Sequence, residues 1–157
     1  MRWVLVVLAA ATLACNAATL APSVTETPEA LAGGFFSIPF GGQRFGRVVI
    51  NVHDETGLVQ GVVELRRPGD LTRSTNAVAV SDHDAKVIRL AWLGGACFNP
   101  LVTLTGDPEN FLILVRASAT GGPPPGAECP AVGIFQGIAL SVAQPIDQEA
   151  IQLRYTP

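Results

Sequence analysis

Ile151-Gln152-Leu153-Arg154-Tyr155-Thr156 alternates apolar and polar residues without a break. A period of two puts one set of side chains on each face of a strand, whereas a helix needs an apolar repeat near 3.6. Working back along the chain, the same period recurs. Ile88, Leu90 and Trp92 alternate with Arg89 and Ala91. Val59, Val63 and Leu65 oppose Gln60, Glu64 and Arg66, and Val48, Ile50 and Val52 share a face. Phe111 to Val115 is apolar on both faces, which predicts a central strand covered on both sides. No helical pattern of a dozen residues appears after the N-terminal segment.

Turn residues separate these runs: Gly41-Gly42, Asp54 to Gly57, Pro68-Gly69-Asp70, Asp82-His83-Asp84, Gly94-Gly95, Gly106 to Asn110, Gly121 to Gly126 and Pro145-Ile146-Asp147. About nine strands result, over roughly 35–40, 45–53, 58–67, 76–81, 86–92, 101–105, 110–117, 133–143 and 150–156. That number and spacing predict an all-β domain, an antiparallel β-sandwich, with a closed β-barrel as the alternative. The chain of 157 residues has room for one such domain. Its 16 glycines and 12 prolines suit many short strands joined by turns.

If successive strands run in opposite directions, their loops alternate between two ends of the domain. The loops near 54–57, 82–85, 106–110 and 144–149 then share one end, and those near 41–44, 68–75, 94–100 and 118–132 the other. The first end collects Asp54, Glu55, Asp82, Asp84, Asp107, Glu109, Asp147 and Glu149, with His53 and His83. The second collects Cys97 and Cys129 together with Asp70, Glu128, Arg44, Arg67 and Arg73. An acidic pole and one disulfide, Cys97–Cys129, are therefore expected. The pair closes a loop of 32 residues (129 − 97), for which loop-closure entropy is roughly 3.5 kcal/mol.

The N-terminus reads differently. Arg2 is followed by the apolar run Trp3 to Ala11 and the small-residue approach Thr12-Leu13-Ala14, so residues 1–14 read as a secretion signal, too short to span a bilayer. Cys15 stands at the cleavage boundary, and the segment there resembles the lipobox of bacterial lipoproteins, in which a lipid-modified cysteine becomes the first mature residue. Ala14 fits that pattern, while Thr12 and Leu13 depart from it. Three cysteines in a chain bound for an oxidising compartment leave one over once two are bonded. Residues 15–34 carry no apolar periodicity and read as a tether whose 19 residues after Cys15 reach roughly 60 Å extended, or nearer 25 Å as a coil. The domain proper is assigned to 35–157.

The acidic pole is the place to look for a site. His53, Asp54, Asp82, His83 and Asp84 offer oxygen ligands for Ca²⁺ or mixed ligands for a transition metal. Acids at strand tips are also what turn chemistry selects, because their side chains bond nearby amides. Neither a calcium-loop spacing nor HExxH is present. No catalytic residue is assigned: GxSxG and SxxK are absent and neither histidine neighbours a serine in a known motif. Trp92, Phe98, Phe135 and Tyr155 are candidates to line a ligand groove, with Trp92 and Tyr155 better read as core. A net charge of −3 and a single lysine, Lys86, without any basic run exclude a nucleic-acid partner, and no cofactor is expected.

Trp92-Leu93-Gly94-Gly95-Ala96-Cys97, Cys129-Pro130-Ala131-Val132-Gly133-Ile134 and the later Leu140…Gln144-Pro145-Ile146-Asp147 resemble a domain of uncharacterised lipoproteins from GC-rich bacteria. The resemblance implies an exported, disulfide-bonded β domain and brings no activity with it. Two functions are carried forward. One is a non-enzymatic cell-envelope lipoprotein, held at the membrane by Cys15 and binding or scaffolding an envelope protein or small ligand. The other is an exported hydrolase or divalent-metal-binding protein with its site at the acidic pole. A soluble secreted or periplasmic protein is the alternative location.

Overall fold

The computed structural model describes residues 34–42, 46–72, 74–120, 122 and 129–157. The expected signal segment, Cys15 and the tether up to residue 33 lie outside the described residues, as do Arg44, Arg73, Glu128 and most of the 121–128 turn. The described chain forms nine strands: β1 (Phe35–Gly42), β2 (Gly46–Asp54), β3 (Val59–Glu64), β4 (Ala77–Ser81), β5 (Val87–Gly95), β6 (Asn99–Asp107), β7 (Asn110–Thr120), β8 (Gly133–Val142) and β9 (Ile151–Thr156). Single 3-10 turns occur at Pro68–Asp70 and Gln148–Ala150. The strands make two sheets, β1-β2-β6-β7-β9 and β3-β8-β5-β4, and neither closes into a barrel.

Strict reversal at each connection accounts for the directions. β2 and β6 are four strands apart in sequence and β7 and β9 two apart, so both pairs are parallel. Every other neighbouring pair is an odd number of strands apart and is antiparallel. The five-stranded sheet is thus mixed and the four-stranded sheet wholly antiparallel.

The period of two predicts the core except in β3. There the register break between Val59 and Gly61 shifts the alternation by one residue, so that Val62 is buried while Val63, expected to share a face with Val59, is 61% exposed. Phe36, Ile50, Val52, Val102, Leu104, Phe111, Ile113 and Val115 point inward from the larger sheet. They meet Val62, Ile88, Leu90, Trp92, Ile138 and Leu140 from the smaller one. Phe111 to Val115 departs from the expected double cover. β7 lies one strand in from the edge, and Leu112 and Leu114 stand half-buried on the outer face of its sheet, where no second layer is described. The doubly covered strands are β5 and β8. Between β3 and β4, at opposite edges of their sheet, the chain crosses the outer face over these two strands. Ala91 and Pro68 are buried there. A Cβ on Gly137 would sit 2.8 Å from the Pro68 Cβ and 2.7 Å from the Leu90 carbonyl oxygen, so the crossover packs directly on bare backbone.

Candidate functional site at the acidic end

The loops that parity assigns to one end are laced together there. Ala143 N–H donates to Leu58 O (2.8 Å), Val142 N–H to Lys86 O (2.9 Å), Ile146 N–H to Ala85 O (2.7 Å) and Glu55 N–H to Leu104 O (2.9 Å). Buried Ile146 plugs this end of the core. Gly34 is there too, its carbonyl accepting from Asp54 N–H at 2.8 Å. The chain therefore enters the domain at its acidic end.

The residues proposed as ligands are brought to one end but not to one point. Asp54 is 2% exposed, and its carboxylate is consumed locally. One oxygen accepts from Thr56 N–H (2.9 Å) and Thr56 Oγ1 (2.6 Å), the other from Val59 N–H (3.1 Å). This side chain builds the turn from β2 into β3. Asp82 pairs with Arg89. Asp84 accepts from Lys86 N–H at 3.4 Å, and His83 is exposed at the tip between them. His53 stands on the outer face of the larger sheet, its Nδ1 3.7 Å from Glu55 Oε1 and its ring 6.4 Å from that of Phe35. Asp107 accepts from the N–H groups of Glu109 (3.0 Å) and Asn110 (2.9 Å). Among the described residues no three His, Cys, Asp or Glu side chains converge as a metal would require.

An open groove does form at this end, between the β6–β7 turn and the β8–β9 connection. Pro108, Glu109, Pro145, Asp147, Glu149 and Ala150 line it. Its three carboxylates belong to the expected pole, but none was among the five residues singled out as ligands. The available signal was that both loops pair a proline with acids, Pro108-Glu109 and Pro145…Asp147. Which two loops lie side by side depends on β7 pairing with β9, and parity does not specify that pairing.

At the opposite end Cys97 and Cys129 are bonded. The bond joins the β5–β6 turn to the entry of β8. The aromatic candidates separate. Trp92 is wholly buried, its Nε1–H donating to Gln136 Oε1 at 2.9 Å, and Gln136 Nε2 donates on to Gly95 O at 3.3 Å. Tyr155 is half-buried against the core and donates to Leu93 O at 2.6 Å. Phe98 is half-buried, and Phe135 is 41% exposed on the outer face of the smaller sheet. The four do not line a common groove.

No family model matches the chain, and no curated protein or solved structure matches it significantly.

Proposed function

We propose that this chain is a cell-envelope lipoprotein, anchored to a membrane through lipid on Cys15, whose β-sandwich is a non-enzymatic module for binding or scaffolding an envelope protein or a small ligand. The cysteine inventory carries the reading. Cys97 and Cys129 are joined to each other. Such bonds form and persist in oxidising compartments outside the cytosol. Cys15 is then the remaining cysteine, and it follows an apolar stretch with the layout of a secretion signal. The binding role is supported by the design of the acidic end. Its carboxylates at Asp54, Asp82 and Asp107 serve turns or an ion pair, which makes a rigid platform of loops rather than a set of poised acids and bases.

The test is expression of the full chain in a bacterium supplied with labelled fatty acid. Label incorporation and recovery in the membrane fraction are expected, with both lost in Cys15→Ser. An unlabelled soluble product cleaved beyond Cys15 overturns the anchor. Saturable turnover of an ester, amide or glycoside by purified protein overturns the non-enzymatic assignment.

A further inference from the structure

A sandwich of two open sheets has four edge strands, and an unblocked edge recruits another strand. Three of the four edges here carry a device against that. β1 contains Pro39, which has no N–H to give. β3 has a register break between Val59 and Gly61, an irregularity that bends a strand out of line. On β4 the side-chain amide of Gln148 acts as a substitute strand, donating to Ala79 O (3.2 Å) and accepting from Ser81 N–H (2.8 Å).

β9 has none of these. It is six residues of uninterrupted alternation, without proline, glycine or bulge. Beyond its ladder to β7, no main-chain group from Gln152 to Thr156 has a hydrogen-bond partner among the described residues. Alternate residues of such a strand direct both N–H and C=O away from the sheet. Ile151, Leu153 and Tyr155 on its inner side are only half-buried.

We propose that β9 is the joining edge of a homodimer, in which two copies of β9 pair antiparallel and the two five-stranded sheets merge into one. The side-chain pattern selects the register. A two-fold axis through Arg154 sets Arg154 against its own copy, and directly opposed like charges destabilise a pair. An axis through Gln152 runs out of strand, since Arg154 then meets Ala150, which precedes β9. An axis through Leu153 pairs the strand from Ile151 to Tyr155. On the inner face Leu153 meets Leu153 of the second copy and each Ile151 meets Tyr155. On the outer face each Arg154 lies opposite Gln152. The second copy is favoured as the occupant because β9 is complementary to itself in this register, apolar to apolar and cation to amide.

The experiment is light scattering on the full chain across a concentration series, with charge-pattern variants at exposed positions. Wild type is expected to rise from the mass of one chain to that of two. Gln152→Arg sets arginine against Arg154 twice and is expected to weaken association several-fold, up to about thirtyfold. Gln152→Glu is expected to tighten it several-fold in a salt-sensitive manner, about as opposite charges across a strand pair do. Combining Gln152→Arg with Arg154→Gln restores the cation–amide pairing and is expected to recover wild-type association. A single-chain mass at the highest concentrations, or association unchanged by Gln152→Arg, overturns the proposal. The second outcome assigns any self-association to another part of the chain.

Discussion

Tyr155 and Gln136 show how single polar groups are accommodated at the disulfide end. The Tyr155 hydroxyl donates to the Leu93 carbonyl across the interface between sheets, and burial raises its pKa above the usual 10.0. A raised folded-state pKa means that the folded protein holds this proton more tightly than the unfolded chain. The contribution is therefore fully present below about pH 10 and is lost as pH rises through the folded value. Tyr155→Phe should cost about 1 kcal/mol at neutral pH, the net worth of one hydrogen bond, and should flatten the alkaline fall in stability. Urea unfolding at pH 7 and above pH 10 reads both. Gln136 bridges Trp92 and the Gly95 carbonyl inside the core. Gln136→Leu keeps an apolar body but strands both partners, so a loss of about 1–3 kcal/mol is expected. Urea unfolding with an unchanged m-value would confirm that the native state alone was weakened.

Among the elements, the β2–β3 connection depends most on one side chain. Asp54 accepts three hydrogen bonds from Thr56 and Val59 while its own N–H holds Gly34. Asp54→Asn keeps the volume but turns an NH₂ toward a donor, either the Val59 N–H or the Thr56 pair. A loss of about 2 kcal/mol is expected, measured by thermal unfolding, with hydrogen exchange rising first at Val59 and Thr56. The β6–β7 turn depends on Gly106 in a different way. Its φ is +98°, and an added Cβ would lie 2.1 Å from the Asn110 carbonyl oxygen. Gly106→Ala should cost about 2 kcal/mol or more, since backbone strain and overlap with main chain arise together. Both turns could be placed from sequence, because Asp-x-Thr-Gly and Gly-Asp-Pro-Glu-Asn are turn chemistry in themselves. That Asp54 bonds nearby amides is turn chemistry too, but its burial and its three donors were not legible. The same side chain on a looser turn would face water.

For the molecule as a whole, the two ends have different construction. The acidic end is held by main-chain bonds between loops, whereas the other end is pinned by Cys97–Cys129. Replacing both cysteines by alanine should lower stability by about 2–4 kcal/mol and leave the far-ultraviolet circular dichroism spectrum unchanged, since the sheets meet through a core that does not include the bond. Alternation in stretches such as Ile88 to Trp92 and Ile151 to Thr156 determined by itself that the domain is all β and, where no bulge intervenes as it does in β3, which side chains face inward. One face of a strand must be buried, and a period of two admits only one way to do it. Strict reversal of successive strands likewise determined which loops share an end and that Cys97 and Cys129 lie at the same one. Tertiary structure decided which strands are neighbours. Pairing β2 with β6 and β7 with β9, in parallel, depends on how two sheets share one core and on where the crossover through Pro68 lies. Those are contacts between residues far apart in sequence, and no local pattern encodes them. They set the acids of the β6–β7 turn beside those of the β8–β9 connection, and they leave β9 as the edge that, among the described residues, has no proline, bulge or side-chain cover.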